Sequence, residues 1–126
     1  EQVIDYSSKG LIPRDGVPRP GREAKLWEMM DPYHYRSRVK VPKLLIVGAN
    51  DRYWSADAMN LYWDDLEGPK YIFRGANSGH DLQGNRDAAL ATLAAFFRHV
   101  VSGQTLPQLS WNHSNADDTI KMTIWS

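Results

Sequence analysis

"PKLLIVGANDRYW", residues 42–54, decides how the rest of the chain is read. An unbroken apolar run, Leu44 to Val47, meets a turn marked by Gly48 and Asn50. A carboxylate, Asp51, follows within a few residues, and two large aromatics, Tyr53 and Trp54, follow it. Lys43–Val47 is short, ends on the β-branched pair Ile46–Val47 and shows no polar alternation. That pattern predicts a strand buried on both faces, as in a parallel sheet.

Working outward, "SADAMNLYWDDLEGPK" predicts a helix. Ser55 suits its N-cap, and Ala58, Leu61, Tyr62 and Leu66 fall at helical spacing. Gly68 and Pro69 end it. "KYIFR", Lys70 to Arg74, is a second strand, closed by Gly75. The glycine-rich loop "GANSGHDLQGN" comes next, and Asn85 can cap a long helix over Arg86–Ser102. Leu90, Leu93, Phe97, Val100 and Val101 give that helix a broad apolar face, widened by alanines that permit close packing on a sheet. Strand, helix and strand with connections this short predict a right-handed crossover between parallel strands.

The flanks differ. Residues 1–25 contain "SSKGLIPRDGVPRPGRE", dense in Gly and Pro, and read as a loop-rich segment. A short helix is expected around Leu26–Met30, stopped by Asp31-Pro32 because proline disfavours helix in the residue before it. The α/β part therefore spans 26–105. Beyond Leu106-Pro107, "TIKMTIWS" alternates, with Ile120, Met122 and Ile124 on one face. That suits an antiparallel strand, so 106–126 read as the start of a β-rich extension.

Composition narrows the function. The 126 residues hold 15 basic and 15 acidic side chains, a formal net charge of zero. A neutral chain has no electrostatic basis for binding nucleic acid or anionic membranes. The densest basic group, Arg36, Arg38, Lys40 and Lys43, reads as a solvated approach to the strand. No apolar run approaches the roughly 18 residues of a membrane span, and no signal peptide is visible. There is no cysteine, which excludes disulfides, thiolate catalysis and Cys-bound zinc in this segment. His34 and His113 lack metal-ligand spacing. Neither a metal nor a cofactor is expected. His99, in the last turn of a helix, is explained by the helix dipole. Trp27, Trp63 and Trp111 read as structural aromatics.

Functional groups of open α/β sheets collect at the carboxyl ends of the strands. Two ionisable residues follow the two strands: Asp51, and His80 in "NSGHDL". In a parallel sheet both loops leave on one edge, so the side chains can meet. A histidine held by a carboxylate is the acid–base half of a Ser-His-Asp triad, and the order acid then histidine fits a nucleophile placed before both. Asp51 would also serve as a turn or helix cap, and Asp57 is a rival acid whose place in a first helical turn suits the dipole. Asp81 reads as facing solvent or capping a turn. Tyr53 and Trp54 either line a substrate pocket or pack under the loop. A nucleotide-binding domain is disfavoured, since no glycine-rich phosphate loop opens a helix.

"VPKLLIVGAND" and "GPKYIFRGANSGHDL" together resemble the penultimate and last strands of an α/β-hydrolase, with their acid and histidine loops. "DPYHYR" and "YWDDLEG" narrow the resemblance to the PhoPQ-activated pathogenicity-related protein family, over roughly residues 25–110. The resemblance implies the C-terminal part of an α/β-hydrolase-like parallel sheet with flanking helices, followed by a β-rich portion. It also implies an exported protein acting on a small-molecule or peptide ester or amide, or else a non-catalytic hydrolase-like binding protein. No G-x-S-x-G occurs among the 126 residues; "GANSG" has the wrong spacing and lies after the acid. The nucleophile and the partner strands are therefore expected upstream of Glu1. The segment alone is expected to be inactive, poorly folded and sticky along its open sheet edge.

Overall fold

Lys43–Gly48 (β1) and Lys70–Gly75 (β2) pair in parallel, Lys43 opposite Lys70 and Gly48 opposite Gly75. The computed structural model describes residues 2–13, 15 and 19–125. The chain divides into two units, Glu1–Leu90 and Ala91–Ser126. The first contains the parallel pair, and the second an antiparallel hairpin of β3 (Gln108–Ser114) and β4 (Thr119–Trp125). The class is mixed α/β, with two two-stranded sheets among the described residues.

Both expected strands of the parallel pair form. β1 is half-buried along its length rather than buried, because two strands leave most of a sheet uncovered. Burial concentrates elsewhere. The buried residues among those described are Gly48, Asp51, Met59, Gly75, Ser78 and Ala89, so four of these six lie at or just beyond the carboxyl ends of β1 and β2. Two of them, Asp51 and Ser78, are polar.

The helix expected after Ser55 is replaced by a 3-10 turn, Ala58–Leu61, followed by turns. Aromatic and aspartate residues through Leu61–Asp65 have low helix propensity. The Lys70 ammonium ties down the end of the segment, donating to the carbonyls of Trp63 (2.5 Å) and Leu66 (3.2 Å). Gly68, at φ +79°, sits against the Lys40 carbonyl and turns the chain into β2.

The N-terminal segment is not all loop. Gln2–Ser8 forms α1, closed by Gly10 in the left-handed region (φ +68°) with Leu11 N donating to Tyr6 O (2.9 Å). The Gly and Pro density of the segment begins after this helix, so a composition taken over the whole stretch hides it. Arg14 and residues 16–18 of the stretch lie outside the described residues. α2, Arg22–Met30, begins earlier than expected and ends as expected at Asp31, whose backbone is extended. Pro32–Arg38 adds a 3-10 helix, capped by the Asp31 carboxylate on Tyr33 N (2.9 Å).

The long helix α3 spans Arg86–Ser102, as its periodicity predicts, and Gly103 ends it at φ +66°. Only Ala89 is buried in it; Leu90, Leu93, Phe97 and Val101 are exposed. In the hairpin, Leu109 opposes Ile124, Trp111 opposes Met122 and His113 opposes Ile120. Leu109, Trp111, Ile120, Met122 and Ile124 thus share one face, and all five are exposed. Trp111 is no core residue. Among the described residues, no helix is long and apolar enough to cross a membrane.

Candidate functional site

The two strand-end loops are zipped together by backbone. Ala49 N donates to Gly75 O and Asn50 N to Ser78 O, each at 2.9 Å. The histidine loop is tied down from below. Ser78, fully buried, donates through Oγ to Gln83 O (2.9 Å) and accepts from Asn85 Nδ2 (2.6 Å), which also reaches Ala76 O (2.8 Å). The Asn85 carbonyl accepts the first α3 bond, from Ala89 N, and its side-chain NH2 group holds the loop.

This frame brings Asp51 and His80 together. Asp51 Oδ2 accepts from His80 Nδ1 at 2.9 Å. Oδ1 accepts from the backbone amides of Tyr53 (2.7 Å) and Trp54 (3.1 Å). The turn-capping and histidine-holding readings of Asp51 are both realised, one on each oxygen. The Asp51 side chain is 6% exposed and that of His80 is 49% exposed.

Burial pushes the Asp51 carboxyl up. The bond from His80, the Trp54 and Tyr53 amides and the charge on the imidazole outweigh it, leaving the group below its ordinary value. An ionised carboxylate can only accept, so the bond to Nδ1 requires a proton there. In the neutral ring Nε2 is then the basic nitrogen, and it makes no hydrogen bond to a described residue.

Tyr53 and Trp54 flank the imidazole. The Trp54 ring stacks on it at 4.9 Å between centroids and 27° between planes. Tyr53 lies at 5.3 Å and 48°. Neither is buried in a core; Tyr53 is 37% exposed. The Tyr53 phenol donates to Asp5 Oδ2 on α1 (2.8 Å). Trp54 also borders a small, largely apolar recess lined by Val47, Ala58, Met59 and Tyr62.

The rival acid Asp57 is exposed, precedes the 3-10 turn and bonds Ser55, which lowers its carboxyl; it makes no hydrogen bond to His80. Asp81 is exposed, its Oδ2 accepting from Gln83 (3.2 Å). Nδ1 of His99 bonds Ala95 O within α3 (2.8 Å). Among the described residues, no three of His, Asp and Glu gather as metal ligands. Asp5, Ser78 and the tethering role of Asn85 escape sequence reasoning. Of these, Ser78 alone lies beside a candidate residue in the chain, two positions before His80.

The model of the PhoPQ-activated pathogenicity-related protein family matches residues 1–126. The chain is 24% identical over 122 residues to autocrine proliferation repressor protein A of Dictyostelium discoideum. That alignment covers 95% of this chain but only 24% of the relative's length. No solved structure matches. With its whole length matched by the family model, and its "DPYHYR" and "YWDDLEG" segments already pointing the same way, the chain belongs to the PhoPQ-activated pathogenicity-related protein family.

Proposed function

We propose that this chain supplies the acid and the base of a serine hydrolase of α/β-hydrolase type, acting on an ester or amide. One observation carries the reading: Asp51 Oδ2 holds His80 Nδ1 at 2.9 Å in a half-exposed ring whose Nε2 is unbonded among the described residues. A serine from another part of the protein would place its hydroxyl against Nε2. Nε2 takes the hydroxyl proton as the oxygen attacks the carbonyl, then gives it to the leaving group. Asp51 keeps the proton on Nδ1 beforehand and stabilises the imidazolium that forms. Tyr53 and Trp54 offer an apolar wall beside the reacting centre.

The test uses the full-length protein and a short-chain aryl ester. His80→Ala is expected to lower kcat about 10^6-fold, the scale on which loss of a triad histidine acts. Unchanged turnover removes the reading.

A second reading is a binding protein that uses the same cleft without turnover. The Dictyostelium relative is named for repressing proliferation, not for a reaction. A full-length protein that turns over no aryl ester, and in which no serine can be labelled by a fluorophosphonate, would favour it.

A further inference from the structure

We propose that Asp5, on α1, is a positioning residue for His80 that acts through the phenol of Tyr53. The proposal deepens the acid–histidine reading above and rests on it for its catalytic meaning. Its structural content stands on separate contacts.

Tyr53 is fastened at both ends. Its backbone amide donates to Asp51 Oδ1 (2.7 Å) and its hydroxyl to Asp5 Oδ2 (2.8 Å). The ring between these anchors lies 5.3 Å from the imidazole. Trp54 covers the imidazole at 4.9 Å, and the two aromatic rings are 6.3 Å apart. The Asp51 bond holds His80 through one atom, Nδ1. A single such contact fixes a distance but leaves the ring free to tilt about it. The aromatic neighbours restrict the tilt, and so set where Nε2 points.

The Tyr53 ring is partly exposed, so packing restrains it only in part. Its phenol bond adds a restraint at the far end of the ring. That bond is charge-assisted, of the stronger kind, and joins residues 48 positions apart. The chain of contacts runs from the Asp5 carboxylate to the Tyr53 hydroxyl, and from the Tyr53 ring to the His80 ring. It makes α1 part of the site.

The experiment reads the His80 ring-proton chemical shifts by NMR, at the plateaus of the titration. Neighbouring aromatic rings displace these shifts by their ring currents. Tyr53→Phe removes one oxygen, and Asp5→Ala removes its acceptor. Each is expected to move the His80 signals towards those of an unstacked histidine by the same amount, and the double variant no further. Asp5→Asn, which keeps an acceptor, should retain most of the native shift. Tyr33→Phe breaks another phenol–carboxylate bond, to Asp65, and should leave His80 unmoved. In turnover, Tyr53→Phe should lower kcat about tenfold at constant KM, the mark of a misplaced base.

His80 signals unmoved in Tyr53→Phe, or moved equally in Tyr33→Phe, would overturn the proposal. Tyr53→Phe gives the answer even where Asp5→Ala does not fold. A protein without esterase activity defeats the proposed function, while the shifts still decide the role of Asp5.

Discussion

Gly48 and Gly79 lie in direct contact: a Cβ built on Gly48 would sit 2.2 Å from the Gly79 carbonyl oxygen and 2.5 Å from that of Ser78. The end of β1 and the histidine loop therefore approach too closely to admit a side chain at Gly48. That approach lets a short side chain such as Asp51 reach the imidazole of a residue 29 positions away.

Gly48→Ala should pull the site apart. The clashing atoms are backbone, so no rotamer change relieves them. A loss of about 1–3 kcal/mol is expected, as for overpacking a buried site. The Asp51–His80 bond should go with it. Urea unfolding gives the first quantity, and the downfield Nδ1 proton of His80 reports the second. Gly75→Ala is the milder companion, since its Cβ would meet Asn85, Ser78 and Leu82 side-chain atoms at 3.3–3.4 Å. Equal losses in the two variants would contradict the close-approach argument.

Ser78→Ala tests the tether beneath the loop. Its buried hydroxyl serves the Gln83 carbonyl and the Asn85 amide, and alanine removes both bonds, leaving Asn85 its bond to Ala76 O. A cost of about 1 kcal/mol is expected for the lost bonds to these groups. Thermal or urea unfolding measures it, and a change below experimental error would show that water satisfies them.

Acid should weaken the fold partly through Asp51. Its folded carboxyl titrates below the ordinary value of 3.8, so between those two values the unfolded chain binds a proton that the folded chain does not. Stability from this group is full above the unfolded value and is lost as pH falls through the folded one. Asp51→Asn should be less stable near neutrality, and the gap to the native protein should close as pH falls below about 4. Unfolding free energies from pH 6 to pH 3 give the comparison. A gap that stays constant with pH would count against it.

The hairpin face should make the 126-residue chain associate. Leu109, Trp111, Ile120, Met122 and Ile124 form one exposed apolar surface, Trp111 at 68% and Ile124 at 66% exposure. Surfaces of this kind cause association unless covered. Sedimentation velocity should show mass rising with concentration, and Ile124→Lys should reduce it. A concentration-independent monomer with a sharp thermal transition would be the contrary result.

How far local reasoning reached can be followed residue by residue. Leu44–Val47 and Tyr71–Phe73 announce strands because β-branched and aromatic side chains fit a pleated ribbon. Arg86–Ser102 announces a helix because its apolar positions recur with the helical period over many turns. Parallel pairing followed from the short connection, and with it the common edge from which Asp51 and His80 leave. Periodicity misled at Ala58–Leu66, where aromatic and aspartate residues of low helix propensity give a 3-10 turn and further turns instead. It is silent about Asp5, whose partner lies 48 residues away.

Order along the chain thus determined both parallel strands, the long helix and the two residues of the carboxylate–imidazole pair, since each depends on spacing and on side-chain shape. Distances between loops were settled only in three dimensions. The contact at Gly48, the buried hydroxyl of Ser78 and the reach of Asp5 to Tyr53 arise where separate segments compete for the same space and the same hydrogen bonds, and no run of neighbouring residues encodes that competition.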